Sequence, residues 1–180
     1  MASNIKNIDK KMLDSVEARA SELMEKYHAC AQCSLLAVQE GCRMEDDVMA
    51  KAAVVLSGGV GGMRSVCGAL TGSALALGMK YGRDISLLQD PPDEAIAAAG
   101  KSMEPVAKLA KWFEREFGSI VCSDIQKAHM GTDLSAKVPW QKELIDQLGM
   151  RQHCAKIVKK TARRAAAMMD NPGLGLLDEI

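Results

Sequence analysis

Apolar residues in the first segment, Ile8, Met12, Val16, Ala20, Leu23 and Tyr27, fall three or four apart, which is one face of a helix. The period extends toward Gln39. It leaves open whether one helix runs on through Cys30 or breaks at Tyr27-His28, with Gly41 as the expected stop. Glu45-Asp46-Asp47 opens the next helix, with acids suited to its positive end, and Ser57-Gly58-Gly59 closes it. Val66 to Met79 reads as a buried helix carrying Gly68, Gly72 and Ala76 as a smooth stripe, closed by Tyr81-Gly82-Arg83. Pro91-Pro92-Asp93-Glu94 starts a long helix. Its positions Ile96, Ala99, Met103, Val106, Ala110, Phe113 and Phe117 predict a seam near the centre of a bundle, with a kink at Pro105. Cys122 to His129, Pro139 to Leu148 and Met150 to Met169 complete the helices. The last places Cys154, Ile157, Val158, Thr161, Ala165 and Met168 on one face. No stretch alternates with period two long enough for a strand. The expected class is all-α, a single-domain bundle of five to seven helices.

Composition sharpens this. The 180 residues are 48% apolar with only two each of Trp, Tyr and Phe, so Ala, Met and Gly must fill the core. Ala and Met favour helix, and small residues let helices approach closely, which also makes a homodimer an expectation. Lys+Arg and Asp+Glu are equal at 23 each, which argues against a dedicated nucleic-acid binder. The residues Met1 to Lys10 contain no apolar signal region. The longest uncharged run, Ser65 to Met79, is too short to span a bilayer, which needs about 20 apolar residues. A cytoplasmic protein without membrane insertion is expected.

Six cysteines then need an account: Cys30, Cys33, Cys42, Cys67, Cys122 and Cys154. Zinc-finger, ferredoxin and haem-attachment spacings are absent, and only Cys30-Ala-Gln-Cys33 has a local spacing of interest. The run Ser57-Gly-Gly-Val-Gly-Gly-Met-Arg64 lacks the lysine of a P-loop and the preceding strand of a dinucleotide fold. It leads instead into Cys67. There, bare amides and a helix start would favour a thiolate. A plain turn is the alternative.

Cys67-Gly-Ala-Leu-Thr-Gly72 resembles the Cys-Gly-Ala-x-x-Gly signature of a redox-active protein family with four characteristic cysteines. The surroundings agree: Cys30-Ala-Gln upstream, glycines from Gly58 to Gly62, Ala76-Leu-Gly-Met-Lys-Tyr-Gly82 downstream, then Cys122 and Cys154. The resemblance covers about Tyr27 to Thr161. It implies that Cys30, Cys67, Cys122 and Cys154 are the family's four cysteines, with Cys33 and Cys42 outside the pattern. Such modules also occur in split-Soret type cytochromes, in association with an iron–sulfur cluster. The expected metal ligands are therefore Cys30, Cys67, Cys122 and Cys154, holding an iron–sulfur cluster for electron transfer or redox sensing with a redox partner protein. Gly58, Gly59, Gly61 and Gly62 are expected to aim backbone amides at sulfur, while Gly68 and Gly72 let a neighbouring helix close behind.

The domain reading is an N-terminal helix or arm over 1–26, a cysteine-containing helical domain over 27–170 and a loose tail over 171–180. Two other functions stay open: a thiol–disulfide oxidoreductase using Cys30 and Cys33, and a structural zinc site. His28, His129 and His153 lie near family cysteines and are candidate donors. Lys156, Lys159, Lys160, Arg163 and Arg164 form either a solvated basic face or a docking face for an acidic redox partner.

Overall fold

The computed structural model describes residues 9–88, 92–135 and 137–174. Ile8, Pro91 and parts of the expected arm and tail, residues 1–8 and 175–180, lie outside them. Eight α-helices follow in order: α1 (Lys10–Tyr27), α2 (Cys30–Cys42), α3 (Asp47–Ala53), α4 (Gly68–Tyr81), α5 (Asp93–Phe117), α6 (Cys122–Met130), α7 (Pro139–Gln147) and α8 (Met150–Asp170). The class is all-α, and among the described residues the sole β pairing is one isolated bridge between Val66 and Val121.

The count exceeds the expected five to seven because the first apolar run is two helices. His28 takes a left-handed conformation (φ 55°) and its N–H caps the Met24 carbonyl, which ends α1 and turns the chain before Cys30. Gly41 is not a stop. It lies inside α2, where an added Cβ would collide with Val16 of α1, and the helix ends instead at left-handed Arg43. Two of the expected ends do hold. Asp46 caps α3 by accepting from the Met49 N–H, and Gly82 follows the last residue of α4.

α2 lies against α1, α4 and α8, and these four helices carry the core. Leu13, Val16, Ala20 and Leu23 of α1 meet Leu35 and Val38 of α2, Leu77 of α4, and Ile157, Val158 and Ala165 of α8 in one apolar cluster. Leu13 and Met24 are buried where the spacing pointed to Met12 and Tyr27; Tyr27 is exposed. The long helix α5 is present and runs through Pro105, but its seam is not central. Ile96 and Met103 are exposed, and only Ala95, Pro105, Leu109 and Phe113 are buried. Its C-terminal half packs on α4 and α8, with Phe113 and Trp112 edge-on to Phe117. A second small cluster of Leu134, Ile145 and Met150 joins the α6–α7 region to α8 and touches Cys154.

The contact that sets the bundle's geometry is between α2 and α4. A Cβ at Gly72 would fall on the Ala31 carbonyl, and one at Gly68 on Cys30 Sγ. Gly72→Ala should therefore cost about 1–3 kcal/mol, because the neighbour it meets is backbone and cannot rotate away. Gly78→Ala on the same helix meets nothing within 4 Å and should be neutral or stabilising by up to about 1 kcal/mol. Urea unfolding of the two variants side by side checks this.

Candidate thiol site

Three of the four family-type cysteines sit at helix starts. Cys30 is the first residue of α2, Cys67 is the residue that caps α4, and Cys122 is the first residue of α6. Local hydrogen bonds tie these starts together. The Cys67 N–H donates to the Ile120 carbonyl (2.9 Å), the Cys122 N–H to Ser65 (2.6 Å) and the Ser123 N–H to Arg64 (3.0 Å). Residues 64–67 and 120–123 thus run side by side, which brings two thiols on distant segments to one place. The α2 start is held by Ser57, whose hydroxyl accepts from the Ala31 N–H (3.2 Å). Cys154 comes from the second turn of α8, between the main core and the α6–α7 cluster.

All four thiols line a single cavity of about 270 Å³. Its apolar walls include Met24, Ala69, Ile145, Ile157 and Val158, and its charged or polar lining includes His28, Gln126, Lys142, Asp146 and Arg151. Among the described residues, no three His, Cys, Asp or Glu side chains close on one metal-ion position. The thiols stand around a volume.

The glycine run is an ordered loop. Residues 58 to 62 all have positive φ, Val60 among them, and the chain folds back on itself in left-handed turns. The Gly61 N–H donates to Val55 and the Gly62 N–H to Ser57, so these two amides do not reach sulfur as expected. Gly59 packs against the backbone of Arg64 and Ser65 and accepts from the Ser65 N–H and hydroxyl. Gly58 does point to sulfur, but its N–H donates to Cys30 Sγ (3.4 Å), not to Cys67. Arg64, also left-handed, clamps the loop by donating to Asp133 (2.6 Å) and the Leu134 carbonyl (2.6 Å).

Electrostatics overturn the activated thiolate expected at Cys67. Burial, then the neighbouring Cys30 and Cys122, push its thiol up to about 12, against the pull of the Ala69 and Leu70 N–H groups. Cys122 is pushed up to about 11 by burial and Cys30, with Arg64 opposing. Cys154 is raised further, by burial and then by Cys30, Cys67 and Cys122. Burial and mutual repulsion thus favour the neutral form of all three thiols.

Of the other candidates, all but His28 fall outside the cavity. Cys33 is buried on α2 with its thiol raised by burial, and Cys42 lies at the far end of that helix near Lys80 and Asp170. His129 and His153 stack with ring centroids 3.9 Å apart; burial and then His129 lower the His153 imidazole from its ordinary value. Of the three histidines only His28 lines the cavity, where its Nε2 meets Arg151 Nη1 at 2.7 Å. The basic face of α8 is mostly engaged: Lys159 pairs with Glu17, Lys160 with Glu116, and Arg163 with Asp14 and Glu17. Arg164 is not solvated at all but buried over the Trp112 ring. Gln126, which donates to Cys122 Sγ (3.4 Å), was missed by the sequence reading, although its spacing of four from Cys122 on one helix was a usable signal.

The raised thiols set a pH dependence. Between the ordinary thiol value near 9 and the folded values near 11 and 12, the unfolded chain has lost protons that the folded chain keeps. The thiols' contribution to stability should therefore be constant below about pH 9 and fall as pH rises through that window. Chemical denaturation across this range checks it, and a flat profile would contradict the buried, mutually repelling thiols.

No curated protein and no solved structure matches the chain. A family match does span residues 12–168, from α1 to the last turns of α8, and so includes every cysteine of the cavity. The family label writes Gly-Cys-Ala-x-x-Gly; the chain's counterpart, Cys67-Gly68-Ala69-Leu70-Thr71-Gly72, has the same residue types with cysteine ahead of glycine. With that match over most of its length, the chain belongs to the family described as "Putative redox-active protein (C_GCAxxG_C_C)".

Proposed function

We propose that this protein is a redox protein holding an iron–sulfur cluster through Cys30, Cys67, Cys122 and Cys154, exchanging electrons with a redox partner protein or sensing redox state. The observation that carries the reading is the convergence of four thiols, from four helices far apart in sequence, on one cavity. Thiolates are the soft ligands such clusters take, and four arranged around a volume suit a polynuclear group better than a single zinc ion. When bound, a cluster of this kind supplies reversible one-electron transfer.

The chain's own residues supply the rest. Cys30, Cys67 and Cys122 stand at helix starts, where free N–H groups and the positive end of the helix dipole oppose thiolate charge. The Gly58 N–H and Gln126 Nε2 donate directly to Cys30 and Cys122 sulfur. Ala69, Ile157 and Val158 give the thiols an apolar surround. Loading expels the thiol protons, so it becomes easier as pH rises. The competing thiol-exchange reading needs Cys33, whose buried side chain does not line the cavity.

Anaerobic purification with iron and sulfide analysis tests the proposal. A brown protein with charge-transfer bands is expected, and a colourless, iron-free protein after anaerobic reconstitution would overturn it. Cys67→Ser should lose or alter the spectrum, while Cys33→Ser should leave it unchanged; the reverse pattern would point to thiol exchange. Gln126→Leu removes a donor that favours the more negative, reduced state. At about 0.5–1 kcal/mol for such a bond, the midpoint potential should fall by roughly 20–40 mV with iron content unchanged.

A further inference from the structure

The helix α5 keeps one apolar face in solvent. Ile96 is 63% exposed and Met103 is 65% exposed. Gly100 and Ala107 are exposed too, and the spacings of four, three and four put all four residues on one face of the helix. An added Cβ at Gly100 would meet nothing within 4 Å. Along this stripe the positions alternate large, small, large, small. Asp93 lies one turn before Ile96 and Lys111 one turn after Ala107, so the stripe is closed by an acid at one end and a base at the other. Both charges are exposed, and neither has an ion pair among the described residues.

Such a pattern is its own complement when turned end for end. Lay a second α5 antiparallel on the first, with a two-fold axis midway between Gly100 and Met103. Each Met103 then meets the partner's Gly100, and each Ile96 meets the partner's Ala107. At the two ends, each Asp93 meets the partner's Lys111. A parallel pair would instead set like against like at every one of these positions, large on large and charge on equal charge.

We infer that a second copy of this chain docks on the exposed face of α5, forming a two-fold homodimer through an antiparallel α5 pair. The pairing covers Ile96 and Met103, which one copy leaves in water, and gives Asp93 and Lys111 the partners that one copy lacks. The thiol cavity takes no part in it, so the dimer and the cofactor assignment stand or fail separately.

Sedimentation of the whole protein from about 1 to 100 µM tests it. A dimer is expected, and a monomer throughout overturns the proposal. Met103→Glu places a charge where one copy meets only water but where the pair is closed. It should therefore give a folded monomer with unchanged helix content. Asp93→Lys and Lys111→Glu should each weaken self-association about tenfold, because each sets two like-charged pairs together. Mixed in equal amounts, these two variants should recover the wild-type affinity, since every end pair of the mixed dimer is again of opposite sign. A dimer that survives Met103→Glu, or a mixture that associates no better than either variant alone, puts the contact on another surface and overturns the proposal.

Discussion

The close approach of α2 and α4 is the constraint on which the rest of the molecule depends. At Gly68 and Gly72 the second helix presents no side chain, and the backbone at Cys30 and Ala31 fills the space. This contact puts the starts of the two helices side by side and aims Cys30 and Cys67 into the same cavity. The antiparallel run of residues 64–67 along 120–123 then adds a third helix start and Cys122. Only Cys154 arrives differently, from within a helix. Its position follows from the packing of α8 against α1 and α2.

Placing Cys67, Cys122 and Cys154 in an apolar cavity has an electrostatic cost, which raises their thiols and favours the neutral form. Burial is the first cause of every upward shift among Cys67, Cys122 and Cys154, and mutual repulsion the second. The helix starts and the Gly58 and Gln126 donors face the sulfurs in the orientation that favours negative charge there. Buried thiols raised in this way are poor nucleophiles by themselves.

Much of this was legible in the sequence, and what was not has identifiable causes. Helix ends followed from caps and glycines where side chains set them, as at Asp46 and Gly82. The break at Tyr27-His28 stood as one of two open alternatives, because a left-handed histidine has no distinctive spacing that would decide it. The α5 period was right, but which of its residues are buried depends on what covers them, and Ile96 and Met103 are left exposed. The four cysteines stood out by family resemblance alone, since only Cys30 and Cys33 have a local spacing of interest. The donors serving them did not, because a backbone amide carries no residue identity: of the four loop glycines, only Gly58 reaches sulfur.

The loop at residues 58 to 62 has a consequence for how sequence variation in this protein should be read. Five consecutive residues wind with the hand opposite to an ordinary helix, a conformation that costs an L-residue roughly 1–2 kcal/mol and glycine almost nothing. Val60 alone bears that cost. Residues 60 to 63 face solvent, where substitutions are normally silent, yet any side chain at Gly61 or Gly62 would add backbone strain without touching a neighbour. Here the surface tolerates change as poorly as an interior does, and for handedness instead of space.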